Sequence, residues 1–501
     1  MSISLLLEMA ASSNPDRTAL VDGDLRWTTQ QLSDLADGGA GVIARPRAGS
    51  NAQHVVYVGA GGAMLPLLIF ASARAGLTFT PINYRLSAEG IEALIRRLPE
   101  PLVIVDERYR QMVGDASVLV SEEFLTAAHS AEPAAEFPDP DSVAIVLFTS
   151  GTTSQPKAVE LTHNNLTSYV TGTVEFESAA ETDAALICVP PYHIAGVGAA
   201  LSNLYAGRKM VYLPNFDAQE WVRLVNTERV TTATVVPTML DRIVAVLETG
   251  DHELPSLRNL AYGGSKVGLP LVRRALELLP DVGFVNAYGL TETSSTIAVL
   301  TPDDHRAAQS AADVTVVKRL GSVGRPVPGI ELEIRDDEGK VLPAGETGEL
   351  FVRGEQVSGR YTGIGSVLDE NGWFPTKDIA MLDDEGFLFI GGRSDDTIIR
   401  GGENIAPAEL EEVLVEHPAV RDVAVVGVED AQWGQAIVAV VVPRPGAEPD
   451  AEELREHVRK SLRGSRTPDR VVFRDELPTT PTGKVLRREI IEGLQAAPAE
   501  Q

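Results

Sequence analysis

The chain has 501 residues, too many for one ordinary core, and about three domains or subdomains of roughly 150 residues are expected. Hydrophobic residues make up 44% and charged residues 23%, as in globular proteins. A net charge of −28 argues against a nucleic-acid partner or an anionic membrane surface, because both need basic faces. A local basic patch over a phosphate-rich ligand is still allowed. The single cysteine, Cys188, excludes an intrachain disulfide and argues against a cysteine-based zinc site. It sits in the apolar run L-I-C-V-P and reads as a buried thiol, not a nucleophile.

The N-terminus, M-S-I-S-L-L-L-E-M-A, lacks a basic region and does not read as a signal peptide. No apolar run approaches about 18 residues, so membrane insertion is not expected, and the chain reads as a cytoplasmic enzyme. From about residue 17 to 330, apolar strands alternate with amphipathic helices. H-V-V-Y-V-G followed by M-L-P-L-L-I-F-A-S-A-R-A-G is one example and P-L-V-I-V-D another. That alternation predicts an α/β architecture with a largely parallel sheet. From about 320 the texture changes. G-I-E-L-E-I-R and T-G-E-L-F-V-R-G alternate strictly, and D-E-G-K gives a hairpin signal, so antiparallel β structure is expected. After G-R-S-D-D a third texture begins: helix, two strands, helix. The domain reading is therefore 1–394 and 395–501, the second a small α+β unit of 107 residues.

Five clusters carry chemistry. T-S-G-T-T-S-Q-P-K (Thr149–Lys157) follows the apolar strand V-A-I-V-L-F. It offers five hydroxyls, one glycine and a lysine. Hydroxyls donate to phosphate oxygens, glycine lets the backbone approach, and lysine adds a point charge. It is not the G-x-x-x-x-G-K-[ST] loop of common NTPases. Y-G-L-T-E-T (Tyr288–Thr293) combines an aromatic face, a hydroxyl and a carboxylate. W-F-P-T-K-D (Trp373–Asp378) is expected to present its aspartate at a turn. G-G-E-N-I-A-P-A-E-L-E (Gly401–Glu411) is a glycine turn entering a helix, with Pro407 in the first turn. P-T-T-P-T-G-K (Pro478–Lys484) places a lysine after a stiffened turn and, taken alone, reads as an exposed surface lysine.

In this order, these segments resemble the acyl-adenylate-forming superfamily, in particular its acyl-CoA synthetase and fatty-acid–CoA ligase branch. The resemblance implies a large N-terminal domain of two α/β subdomains plus a distorted β-barrel, and a small mobile α+β C-terminal lid. It implies that Thr149, Ser150, Gly151, Thr152, Thr153 and Lys157 hold the β- and γ-phosphates of ATP. Tyr288 would stack on adenine, with Gly264 and Ser265 near the base. Thr291 would contact the α-phosphate, and Glu292 would bind Mg2+. Asp378 would grip the ribose hydroxyls with help from Arg393. Lys484 would bridge the substrate carboxylate and the α-phosphate, and His193 in P-P-Y-H-I-A-G would lie beside the acyl channel. Asp395 would be the hinge, and Gly401 and Gly402 would line the acceptor channel.

The implied activity is ATP-dependent ligation of a carboxylic acid to coenzyme A through an acyl-adenylate, with release of pyrophosphate. Two alternatives stand beside it: loading of a carrier-protein thiol or other non-CoA acceptor, and a catalytically inactive nucleotide sensor. No phosphopantetheine attachment domain follows, which favours CoA. The acid is open between medium-chain and aromatic, and a homodimer is left open. Three positions depart from the family pattern, with Ser154, Ala158 and Lys377 standing where glycine is usual. Glycine is the less restricted residue, so Ser154 and Ala158 are expected to restrict the backbone, while Lys377 adds a cation near the nucleotide or the acceptor.

Overall fold

The computed structural model describes residues 1–45, 52–114, 117–134, 138–149, 156–250, 252–400, 403–430, 433–462, 466–480 and 483–496. Within them the strands and helices alternate as the sequence predicts. The first layer is an eight-stranded sheet. Five of its strands, His54–Val58, Thr78–Ile82, Pro101–Val105, Ser117–Val120 and Val143–Thr149, pair in parallel. Val55–Val58 and Leu102–Val105 are continuous and fully buried apolar runs, as expected of strands covered on both faces, where alternation disappears. The helix Met64–Arg74 shows the same logic, being buried from Leu65 to Arg74. Beyond Val143–Thr149 the sheet turns antiparallel with Lys157–Thr162 and Arg360–Tyr361.

The second layer is a nine-stranded sheet. Its parallel centre holds Thr18–Asp22, Lys209–Tyr212, Ala184–Ile187, Thr232–Val235, Asn259–Gly263 and Gly283–Leu290. Ser295–Leu300 returns antiparallel along Gly283–Leu290. One hydrophobic cluster spans both layers, from Leu6 and Leu7 to Phe284. Cys188 is buried within it, and burial pushes its thiol up to about 12.

An antiparallel sheet follows, with Glu331–Arg335, Thr347–Arg353, Phe374–Leu382 and Leu388–Arg393 in sequential order. The D-E-G-K segment closes the predicted hairpin turn, with Asp336 N–H donating to Lys340 O and Arg335 bridging Val341. One expectation is corrected here. Asp378 lies inside a nine-residue strand, not at a turn. The ladder is distorted around it. Glu349 pairs Ile379 while Phe351 pairs Pro375, so Thr376, Lys377 and Asp378 face the single Leu350. This bulge is what the sequence read as a turn. Lys377 takes φ +65° there, a left-handed conformation costing a non-glycine residue roughly 1–2 kcal/mol. The Lys377 N–H donates to Glu349 Oε1 at 3.2 Å. Ala158, by contrast, sits in a regular strand opposite Phe148, so its methyl imposes no unusual backbone.

The last texture has its own packing. Ile398, Ile405, Leu410, Leu414, Val425, Val441 and Leu454 form a cluster separate from that of Leu350, Phe374 and Leu388. Helix Pro407–Val415 starts with proline in its first turn, as predicted. It packs on the paired strands Val420–Asp430 and Gly434–Pro443.

Candidate active site

The 3-10 turn Thr291–Thr293 continues the strand Gly283–Leu290. Thr293 is fully buried and locks it: Leu290 N–H donates to Thr293 Oγ1 at 3.0 Å, and that hydroxyl is 2.9 Å from Ser295 O. The two residues that follow are strained, Ser294 at φ +56° and Ser295 at φ +115°. Strained backbone of this kind concentrates at functional sites. Gly289 is required here, since a methyl group would come within 1.7 Å of Ser295 O. The result is a tight turn with Thr291 and Glu292 facing a cavity.

That cavity brings together Thr149, Lys157, His193, Gly264, Ser265, Tyr288, Thr291, Glu292, Asp378, Arg393, Asp395 and Lys484. The expected phosphate-loop residues Ser150, Gly151, Thr152 and Thr153, with Ser154, lie outside the described residues, as do Gly401 and Gly402. The two ends of the loop are described: Thr149 pairs with Lys157 across adjacent strands. Tyr288 donates its hydroxyl to Asp378 Oδ2, and Arg393 Nη1 stands 3.6 Å from Asp378 Oδ1. Thr376 fixes Asp378 from behind, accepting its N–H at 3.0 Å and donating to Leu350 O. Burial raises the Asp378 carboxyl, while Tyr288, Arg393 and Lys484 pull it down.

Lys484 is held by a hydrogen-bonded turn. Thr480 N–H donates to Lys484 O at 2.7 Å, Gly483 N–H to Thr480 O at 2.8 Å, and Lys484 N–H to Thr480 Oγ1 at 3.0 Å. This turn rests on the large domain, where a methyl at Gly483 would come within 3.0 Å of Thr238. Lys266 pairs with Glu412 across the same boundary. The lysine is exposed by area, as expected, but it does not simply point into solvent. Its ammonium is crowded enough for desolvation to lower its pKa, with Arg393 adding to the fall, and it feels the charges of Asp396, Asp378 and Glu292.

His193 caps the N-terminus of helix Ile194–Ala206 and packs on Tyr192 at 4.8 Å between ring centroids. Burial lowers its pKa to about 4, so it is neutral at neutral pH. Its Nε2 and the Arg393 Nε are buried without a hydrogen-bond partner among the described residues. Buried polar atoms left in this state are costly, so both atoms fit a site completed by a polar ligand. The cavity lining includes small side chains, Ala195 and Ala199 from the helix and Ala261 and Ala287 from the sheet, alongside larger ones such as Tyr169 and Ile194. Among the described residues no group of three or more His, Cys, Asp or Glu side chains could hold a metal alone. One carboxylate beside phosphates suits Mg2+, which binds few protein ligands and completes its shell with phosphate oxygens and water.

Two models of known families match this chain. The AMP-binding enzyme model covers residues 7–362, and the AMP-binding enzyme C-terminal domain model covers 409–484. The chain belongs to the AMP-binding enzyme family. It is 32% identical over 454 residues to a fatty acid–[acyl-carrier-protein] ligase of Streptomyces coeruleorubidus, covering 87% of this chain and 86% of the relative. It is 33% identical over 494 residues to a feruloyl-CoA synthase of Amycolatopsis sp., covering 96% of each. Its fold superposes on the o-succinylbenzoate CoA synthetase of Bacillus subtilis, solved with an acyl-adenylate intermediate. The TM-score is 0.85, with 28% identity and 99% of both chains covered. The resemblance read from the motifs and the fold class are thus those of the family.

Sequence reading missed two residues that hold the candidate site together. Thr376 looked like part of a turn. Tyr361 lies in G-R-Y-T-G, whose glycines signal a loop, although it forms a two-residue strand beside Val159. Its hydroxyl donates to Glu292 Oε1 at 2.9 Å, and Lys157 Nζ lies 5.2 Å from its ring centroid. No local pattern marks a contact between residues about 70 and 200 positions apart.

Proposed function

We propose that the chain is an ATP-dependent acid–CoA ligase, with residues 1–394 as the adenylating domain and 395–501 as a mobile lid. The observation that carries the reading is the convergence of Lys484 from the small domain with Glu292, Asp378 and Arg393 of the large one. Attack of a carboxylate on the α-phosphorus brings two anions together. A fixed cation at the point of approach stabilises the charge that builds in the transition state. In this reading Lys484 serves there. Lys157 and the hydroxyls around it receive the departing pyrophosphate, Thr291 contacts the α-phosphate, and Tyr288 stacks on adenine beside Gly264 and Ser265. Asp378 accepts the ribose hydroxyls with Arg393 alongside. Glu292 would hold Mg2+, which neutralises phosphate charge when bound. The acyl carbonyl lies near His193, its chain along the cavity lining that includes Ala195 and Ala199.

In the first half-reaction a carboxylate oxygen bonds to the α-phosphorus and the bond to pyrophosphate breaks. In the second, a thiol sulfur attacks the acyl carbonyl, the bond to the AMP oxygen breaks, and the thiol proton is released. The acid is proposed to be aromatic or medium-chain. Feruloyl-CoA synthase and o-succinylbenzoate CoA synthetase among the relatives favour a ring-bearing acid. A second reading, with a carrier-protein thiol as acceptor, is favoured by the acyl-carrier-protein ligase among the relatives. Pyrophosphate release from ATP with a panel of aromatic and medium-chain acids tests the adenylation. The release should be acid-dependent, and its absence with every acid would overturn the reading. Adding CoA or a loaded carrier protein then separates the two acceptors.

Nucleotide grip gives a direct prediction. Asp378→Ala removes the charged acceptor proposed for the ribose. ATP binding should weaken by roughly 1.5–3 kcal/mol, about 10- to 100-fold in Kd. Calorimetry with wild-type affinity for the variant would remove Asp378 from the site. The lowered Lys484 pKa gives another. Its charged form is lost as pH rises, and earlier than for an ordinary lysine. Adenylation should therefore fall on the alkaline side, and Lys484→Arg, whose charge persists, should move that limb to higher pH. A limb unmoved by the substitution would assign it to another group.

A further inference from the structure

We infer that Tyr361 is a positioning residue that couples the Glu292 carboxylate, which would hold Mg2+, to the Lys157 ammonium. The inference rests on the proposed roles of Glu292 and Lys157 and extends them to a residue that no motif identifies. Tyr361 has two faces in use. Its hydroxyl donates to Glu292 Oε1 at 2.9 Å, and its ring faces the Lys157 ammonium at 5.2 Å.

The backbone around it is built for the same purpose. Ser358 N–H donates to Glu292 O at 2.8 Å, and Ser358 Oγ donates to Glu160 O. Arg360 pairs with the Glu160 carboxylate at 2.8 Å, and Thr362 Oγ1 donates to the same carboxylate at 2.9 Å. Tyr361 itself lies opposite Val159 on the strand that carries Lys157. Residues 358–362 therefore clamp the Lys157 strand of one sheet to the Glu292 turn of the other. The hydrogen bond from Tyr361 to Oε1 orients the Glu292 carboxylate, whose other oxygen would then face a cation. Partners that orient a metal ligand in this way typically change metal affinity about 10- to 100-fold when removed.

ATP binding by calorimetry, once with excess Mg2+ and once with EDTA, separates the two faces. Wild type should bind more tightly with Mg2+, and Glu292→Gln should lose most of that difference. Tyr361→Phe keeps the ring and loses only the hydroxyl. Its affinity in EDTA should match wild type, while the gain from Mg2+ falls about 10-fold. Pyrophosphate release should then need correspondingly more Mg2+ for half its maximum. Tyr361→Leu should also weaken binding in EDTA, because Lys157 loses the ring beneath it. If Tyr361→Phe keeps the full gain from Mg2+, or weakens ATP equally in both conditions, its role is only structural and the inference fails. If Glu292→Gln keeps the gain, or wild type shows none, the assignment of Glu292 itself fails, and the inference with it.

Discussion

Lys484→Ala is expected to slow acyl-adenylate formation by two or more orders of magnitude, the usual scale for one preorganised transition-state contact. The turn of Thr480, Gly483 and Lys484 fixes the lysine backbone, so the loss would not be shared with a neighbour. Arg393 stands nearby, but it already faces Asp378 at 3.6 Å. Conversion of a supplied acyl-adenylate to thioester should survive in the variant, because no anion attacks an anion in that step. Rapid-quench measurement of the two half-reactions separates these outcomes. Near-normal pyrophosphate release from the variant would remove Lys484 from the chemistry.

Asp395→Pro should do the reverse, retaining adenylation and losing most thioester formation. The structure places Lys484 beside Asp378, Arg393 and Glu292, the pose suited to the first step. In the proposed second step a thiol needs a path to the same carbonyl, and a small domain fixed in this pose would obstruct it. Rotation needs a junction residue free to change φ and ψ. Packing changes hands within a few residues: Leu388–Arg393 belongs to the antiparallel sheet, whereas Ile398 joins the core of the small domain. Asp395 lies in the 3-10 turn Ser394–Asp396 between them. Proline would fix φ near −65° and oppose the swing. A variant that forms thioester at the wild-type rate from supplied adenylate would show that the chain does not use this hinge.

The parts of the fold legible in the sequence are those with a local cause. P-L-V-I-V is apolar throughout because both faces of its sheet are covered, and E-L-E-I-R alternates because its sheet has a wetter side. Helix Pro407–Val415 announced itself by its proline. The cavity lining was legible where a motif lies in one stretch, as in Tyr288–Glu292. Asp378 was read at a turn, but it lies in the strand Phe374–Leu382. The bulge there, opposite Leu350, depends on a partner strand some 25 residues away. Lys484 is exposed as read, but nothing in P-T-T-P-T-G-K reports the surface its turn rests against or the charges its ammonium meets. Tyr361 was invisible for the same reason, its partners being Glu292 and Lys157.

The central claim is that a carboxylate attacks the α-phosphorus and the resulting acyl-AMP is captured by CoA. An acid shown to be turned over, labelled with oxygen-18 in its carboxylate, tests this directly. The label should appear once in AMP, matched by one acyl-CoA and one pyrophosphate per turnover, and acyl-AMP should accumulate when CoA is omitted. Unlabelled AMP, or ADP and phosphate as products, would contradict the account.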